Sequence, residues 1–315
     1  MNVTHLLQSR LLLVTGKGGT GKTTLSAALA RLLADRGKRV CIVEIDSYRP
    51  ALTAPLGVTP GYHPVAAGPR LDACNIVWRD ALMEWLADTV PAERVVRALL
   101  TNKVVQPFLE ATPGLRETVV LSKVLKLVDA YDVVVVDMPA SGHTISLLGV
   151  PRVAVSLMRT GPIRERALAI LDRLHRPDTA LVIVALPEEM VVNEAVELWE
   201  RLQKEVPGLR PPLVALNRAA APSLSADERA LLERLAAATP DAATPAGELV
   251  LAGRWEAGLE ASTADALTRL EAAFGVPPVT FARLGALGGF EGGPGRIVQQ
   301  LAAALARQEL AERSA

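Results

Sequence analysis

Nine residues, Gly16-Lys-Gly-Gly-Thr-Gly-Lys-Thr-Thr24, constrain this chain more than any others. Gly16 to Thr23 fits the phosphate-binding pattern G-x-x-x-x-G-K-[ST], and its flanks are those the pattern requires. The apolar run Leu11-Leu-Leu-Val14 reads as a buried strand, Arg10–Thr15, leading in. Lys22–Arg36, rich in Ala, Leu and Arg, reads as a helix leading out. Gly16, Gly18, Gly19 and Gly21 let the loop's backbone N–H groups, with Thr20 and Thr24 among its residues, turn toward a phosphate. The helix N-terminus adds a partial positive charge at the same spot. Lys22 would then reach the β- and γ-phosphates, and the Thr23 hydroxyl would bind Mg²⁺. The expectation is a chain that binds ATP or GTP.

Lys17 narrows the class, because the ordinary loop needs only Lys22. The run G-K-G-G-x-G-K-T-T resembles the deviant loop of dimeric ATPases. That resemblance implies that Lys17 crosses a subunit interface and touches the partner's nucleotide, doing the work of an arginine finger. Such fingers are worth roughly 10³–10⁵ in rate. A solvated loop lysine is the plainer alternative.

The 315 residues suit a single large α/β domain, 1–315. Half the residues are hydrophobic but only 3% are aromatic, so the core must be aliphatic. Lys+Arg and Asp+Glu are each 34, so no global field draws the protein to nucleic acid or anionic lipid. Cys41 and Cys74 are the only cysteines and form no C-x-x-C, against structural zinc and a disulfide framework. Met1–Arg10 lacks signal-peptide features, and no apolar run approaches the roughly 20 residues of a spanning helix, so a cytoplasmic protein is expected.

Along the chain, Arg39–Ile45 completes a first βαβ unit whose Val/Ile/Leu-rich strands suit a parallel sheet. Ser47–Pro69, with many Pro and Gly, reads as a long surface loop. From Arg79 to Asp129 the pattern is helical. Trp78, Leu82, Trp85 and Leu86 recur at helical spacing, as do Val95, Val96, Leu99, Leu100, Val104 and Phe108, with Pro91 and Pro113 at boundaries. Strands follow at Asp132–Asp137, Ala180–Leu186, Pro212–Leu216 and Pro278–Leu284, with helices near Glu188–Val206 and Ala226–Ala238. Six of the eleven residues from Gly285 to Gly295 are Gly, which reads as a flexible loop before an amphipathic helix, Arg296–Arg313. The fold class is therefore α/β: a doubly wound, mostly parallel P-loop NTPase sheet with a helical insertion subdomain, 75–130, between its second and third core strands.

Two carboxylates stand at strand ends, where open α/β sheets bind ligands. Asp46 lies 24 residues after Lys22, the span of one helix and one strand, and there could orient or deprotonate the attacking water. Asp137 ends the most apolar strand, the setting of a Walker B aspartate that holds Mg²⁺. Capping of the following turn is the alternative for both.

After Asp137 the chain continues as D-x-x-x-x-Gly142-His143-Thr144-x-x-L-L-x-x-Pro151. This resembles the second switch of the arsenite-pump ATPases and of the ATPases that deliver tail-anchored membrane proteins. Leu186-Pro-Glu-Glu-Met190, Asn193-Glu194-Ala195 and Thr112-Pro113-Gly114 agree in content and order, so the similarity covers most of residues 10–220. The resemblance implies that Gly142 senses the γ-phosphate, with the hinge freedom of glycine. His143 would stabilise the switch or report nucleotide state, a local hydrogen-bonding role being the alternative. It implies that Asn217 reads adenine, favouring ATP; an Asn in a strand-end turn is the plainer reading. The partners implied are a second copy of the chain, or a paralogue, and a membrane-protein client.

Three departures stand out. Family members carry Pro-Ala after the first-switch aspartate, where this chain has Ser47-Tyr48-Arg49. With two cysteines far apart in sequence, a three-thiolate arsenite site cannot form in one chain. The zinc clasp of the eukaryotic targeting factors is also missing. In the insertion, Met83, Trp85, Leu86, Val90 and Leu99 form either ordinary core or dimer surface, or a client groove. A slowly hydrolysing nucleotide-gated scaffold, or a partitioning-type ATPase on a membrane or nucleoid surface, is the alternative function. The near-balanced charge of the last helix favours packing on the sheet over lipid binding.

Overall fold

The computed structural model describes residues 1–89, 112, 114–238, 244–284 and 293–314. Within them β1 (Leu11–Gly16), β2 (Val40–Ile45), β3 (Val65–Gly68), β4 (Leu71–Ile76), β5 (Val133–Asp137), β6 (Thr179–Ala185), β7 (Leu213–Ala219) and β8 (Val279–Ala282) make one sheet. Its order is β3-β4-β2-β5-β1-β6-β7-β8, with every neighbouring pair parallel except β3–β4. From β1 the chain passes to β2, lays β3 and β4 beyond it, returns to β5 between β2 and β1, and then continues through β6 to β8 on the other side of β1. The winding reverses beside β1, so the crevice at its C-terminal end is the ligand position of a doubly wound sheet.

Side chains alternate across the strands and divide the core in two. Leu12, Val14, Val133, Val135, Val182 and Val184 face α1 (Val3–Gln8), α2 (Lys22–Asp35) and α11 (Gly293–Ser314). Leu11, Leu13, Val134, Val136, Leu181 and Ile183 face the opposite layer. That layer holds α4 (Trp78–Thr89), α5 (Leu115–Ala130), α6 (Ser141–Leu157), α7 (Pro162–His175), α8 (Glu189–Glu205) and part of α10 (Pro245–Phe274). Two short or exposed helices remain, α3 (Thr53–Leu56) and α9 (Ala226–Ala238). The core is aliphatic, as the composition requires.

The reading of Ser47–Pro69 as one long loop is corrected: it contains α3 and all of β3, and β4 follows at once. Strand β4 was hidden because Asp72 and Asn75 interrupt its apolar run. Both are satisfied, Asp72 by the Tyr131 hydroxyl at 2.7 Å and Asn75 by the Ser47 carbonyl, to which its amide donates at 2.7 Å. Two strands thus lie in the chain between β2 and β5, in addition to the helices expected there. The helix at the C-terminal end packs its Val298, Leu301, Ala302 and Leu305 into the core, as the balanced charge suggested. In the insertion Trp85 is buried and Met83 exposed, while Val90, Pro91, Pro113 and the run Val95–Phe108 lie outside the described residues. So do residues 285–292 of the glycine-rich segment; Gly293–Gly295 begin α11.

Candidate nucleotide site

Two glycines carry the loop geometry. Gly16, at φ +140°, still pairs with Val184 of β6, and a Cβ there would lie 2.3 Å from the Val184 carbonyl oxygen. No side chain fits while β1 stays paired to its end. Gly21 is the left-handed N-cap of α2, at φ +94°, and a Cβ there would lie 2.4 Å from the Asn217 side-chain nitrogen. The Asn217 amide donates to the Thr20 carbonyl at 2.8 Å, and its oxygen accepts the Arg218 N–H at 2.9 Å. Within the loop, the Thr20 hydroxyl and the Lys22 ammonium both donate to the Lys17 carbonyl at 2.9 Å. Asn217 at the end of β7 therefore braces the turn from which α2 starts.

Register places Asp137 beside Val14, one strand over from the loop. It is 7% exposed, and its carboxylate accepts the Thr23 hydroxyl at 2.6 Å and the Ser26 hydroxyl at 3.2 Å. Burial, helped by the nearby Glu44 charge, raises its pKa to about 6 against the pull of Thr23, Lys22 and Ser26. Burial likewise lowers the pKa of Lys22, opposed by Asp137 and Glu194. Asp137 and Thr23 offer two hard oxygens in contact. That donor set fits Mg²⁺, which takes one or two protein ligands and completes its shell with water and phosphate oxygens. Among the described residues, no group of three or more His, Cys, Asp or Glu is placed to hold a metal.

The segment expected to form the second switch begins where β5 ends. Gly142 and His143 lie in the first turn of α6, which has no side-chain cap. Thr144 is fully buried, shares a 2.8 Å hydrogen bond with Thr15 of β1 and donates to the Pro139 carbonyl at 2.9 Å. Ser141 donates to Glu194 of α8, whose carboxylate also meets the Lys17 ammonium at 3.2 Å. Lys17, Gly142, Glu194, Met190 and Arg201 line one cleft of about 420 Å³.

Asp46, in the left-handed region at φ +53°, stands apart from this group. Its carboxylate accepts the Trp78 N–H at 3.2 Å and is ion-paired with Arg116. Asp46, Arg116, Glu117, His143 and Ser146 line a second cavity, of about 270 Å³, between the two switch segments. The sequence reading missed Ser26, Thr15 and Arg116. It also passed over Glu44, whose carboxylate accepts the Ala51 and Leu52 N–H groups at 2.8 and 3.3 Å and shapes the segment after Asp46. A charged residue in the middle of Val43-Glu-Ile45 was the available signal for Glu44. Cys41 and Cys74, far apart in sequence, meet in the core with sulfurs 3.9 Å apart.

Residues 9–177 match the family model described as Anion-transporting ATPase. The chain is 32% identical over 213 residues to ATPase BagA of Mycobacterium tuberculosis, covering 63% of this chain and 62% of that protein. It is 29% identical over 230 residues to an arsenical pump-driving ATPase of Acidiphilium multivorum, covering 65% of this chain and 39% of that protein. An arsenical pump-driving ATPase of Escherichia coli is 28% identical over 232 residues, with 65% and 39% covered. The chain thus spans about two fifths of the length of the pump-driving relatives and about 62% of the mycobacterial one.

Proposed function

This chain belongs to the anion-transporting ATPase family, and from that premise we propose that it is a Mg²⁺-dependent, ATP-hydrolysing switch that works as a dimer. It is a single domain, 1–315, whose insertion, expected over 75–130, begins as helix only at Trp78 after β4 and is the moving subdomain. One observation carries the reading: a buried Asp137 carboxylate held by the first-turn hydroxyl of the phosphate-loop helix, 2.6 Å from Thr23. That contact is how a strand-end carboxylate and a loop threonine share one Mg²⁺.

Gly16–Thr24 cradle the phosphates and Lys22 bridges the β- and γ-oxygens. Thr23 and Asp137 would hold Mg²⁺, which would supply neutralisation of phosphoryl charge there. Asp46 orients the attacking water. Gly142 and His143 carry the γ-phosphate state into α6, which the Thr15–Thr144 bond ties to the central strand. Lys17 acts in trans and must exchange Glu194 for the partner's nucleotide as the dimer closes. Asn217 braces the loop, and its remaining amide N–H would be the group that reads the adenine. Hydrolysis serves a membrane-protein client or partner in the cytoplasm, with no nucleic acid involved. No described helix is long and apolar enough to cross a membrane. Burial of the α11 stripe weighs against the lipid-bound alternative, because an interfacial helix needs that face free.

The test is phosphate release by Lys22→Ala, expected to be abolished; turnover at the wild-type rate would remove the loop from the mechanism. A mixture of Lys17→Ala and Asp46→Asn chains tests the shared site. Hybrid dimers retain one intact composite site and should exceed both parents, whereas a mixture no faster than the parents would refute action in trans.

A further inference from the structure

Both oxygens of Asp46 are taken by the insertion. One accepts the backbone N–H of Trp78, the first residue of α4; the other is ion-paired with Arg116, in the first turn of α5. The backbone of this segment is fixed independently. The Asp46 N–H donates to the Ile76 carbonyl at 2.9 Å, and the Ser47 N–H donates to the Asn75 side chain at 3.2 Å. With the backbone locked in a left-handed conformation, the variable part of Asp46 is which group its carboxylate meets. Each carboxylate oxygen thus has one acceptor site filled from the insertion, and the side chain is aimed at α4 and α5.

From this geometry we propose that Arg116 is a positioning residue that restrains Asp46, so that movement of α5 against α4 sets the rate of ATP hydrolysis. The inference rests on the role for Asp46 given above. It also gives the insertion a role, in which whatever binds α4 and α5 is read out at the water-orienting carboxylate, with no change needed in the phosphate loop. The cavity between Asp46, Arg116 and His143 gives the carboxylate room to turn from the insertion toward the second switch. Glu117 lines the same cavity.

The pair is partly solvated, with Arg116 60% and Asp46 17% exposed, so its release is worth a modest factor. Pairs of this kind translate into a rate change of about two- to fivefold. The experiment is steady-state hydrolysis by the full chain with Arg116→Gln, Arg116→Lys and Asp46→Asn, with ATP-analogue affinity measured in parallel. Arg116→Gln should raise basal kcat about two- to fivefold with KM and analogue affinity unchanged. Arg116→Lys, which keeps the cation, should show a smaller rise. A kcat for Arg116→Gln at or below wild type, with melting temperature preserved, overturns the restraint. Asp46→Asn separates the two layers of inference: wild-type hydrolysis by that variant would remove Asp46 from the mechanism. Slow hydrolysis by Asp46→Asn together with no gain in Arg116→Gln would refute only the restraint.

Discussion

Gly21 and the Asn217 amide crowd one small volume, which makes Gly21→Ala a quantitative probe of the loop. At φ +94° an alanine sits in a left-handed conformation, at a cost of about 1–2 kcal/mol. Its Cβ would also fall 2.4 Å from the Asn217 amide nitrogen, forcing that side chain off the Thr20 carbonyl. Loss of that bond adds about 1 kcal/mol, for a total near 2–3 kcal/mol. Asn217→Ala alone should cost about 1 kcal/mol, by losing the same bond. The double variant should then be about as stable as Gly21→Ala, because the bond is lost only once, leaving a coupling of about 1 kcal/mol. Urea unfolding followed by tryptophan fluorescence and circular dichroism measures all four corners of the cycle. Simple additivity would show that glycine and amide do not contest the same space. A Gly21→Ala chain as stable as wild type would refute the left-handed hinge itself.

Further tests concern the buried Asp137 and the partly buried Glu84. Asp137→Asn should leave stability at pH 8 no lower than wild type, since it removes a charge from a buried site, while Mg²⁺-dependent hydrolysis falls at least about 100-fold, roughly 3 kcal/mol of transition-state stabilisation. With Asp137 raised to about 6, its proton is held more tightly in the folded than in the unfolded chain; its contribution to folding is greatest below about pH 4 and lost as pH rises through 6. Metal binding runs the other way, so Mg²⁺-dependent nucleotide affinity should climb between about pH 5 and 7, and a flat titration would refute the placement. Glu84 behaves oppositely. Burial pushes it up, but hydrogen bonds from Lys123 (2.7 Å), Lys126 (2.8 Å) and Tyr62 outweigh that and hold it at about 2. It supplies stability above about pH 4.5 that disappears toward pH 2, about 1–2 kcal/mol after allowing for its partial exposure. Acid denaturation of Glu84→Gln should lack that component; an unchanged acid transition would refute it.

The central part of the fold was legible because its physics is local. Loop, helix and flanking strand follow one another between residues 11 and 35, and Val133–Asp137 is apolar up to its final carboxylate. The sheet edge was not legible, because Asp72 and Asn75 take their meaning from Tyr131 and Ser47, 59 and 28 residues away. The same holds at the site. The loop and Asp137 are identified by their own neighbours in sequence. Glu194 matters through Lys17 and Ser141, and Arg116 through Asp46, contacts that spacing alone cannot reveal. Asn217 was read for its amide chemistry, and the structure shows what that amide does within the chain: it holds the Thr20 carbonyl.

The helices behind the sheet are tied to one another at their ends. Behind it, α2 is fastened to α11 by the Arg36–Glu309 pair, and α11 in turn to α1 through Glu312, which accepts the Val3 and Thr4 N–H groups at 2.9 Å. In front lie the switch segments, the insertion and the half-exposed Lys17–Glu194 pair. If the proposed switch operates, amide exchange should change with nucleotide on the α5–α6–α8 side and stay the same on the α1–α2–α11 side. Under the proposed function, motion starting at the phosphate loop would be directed outward, toward the insertion.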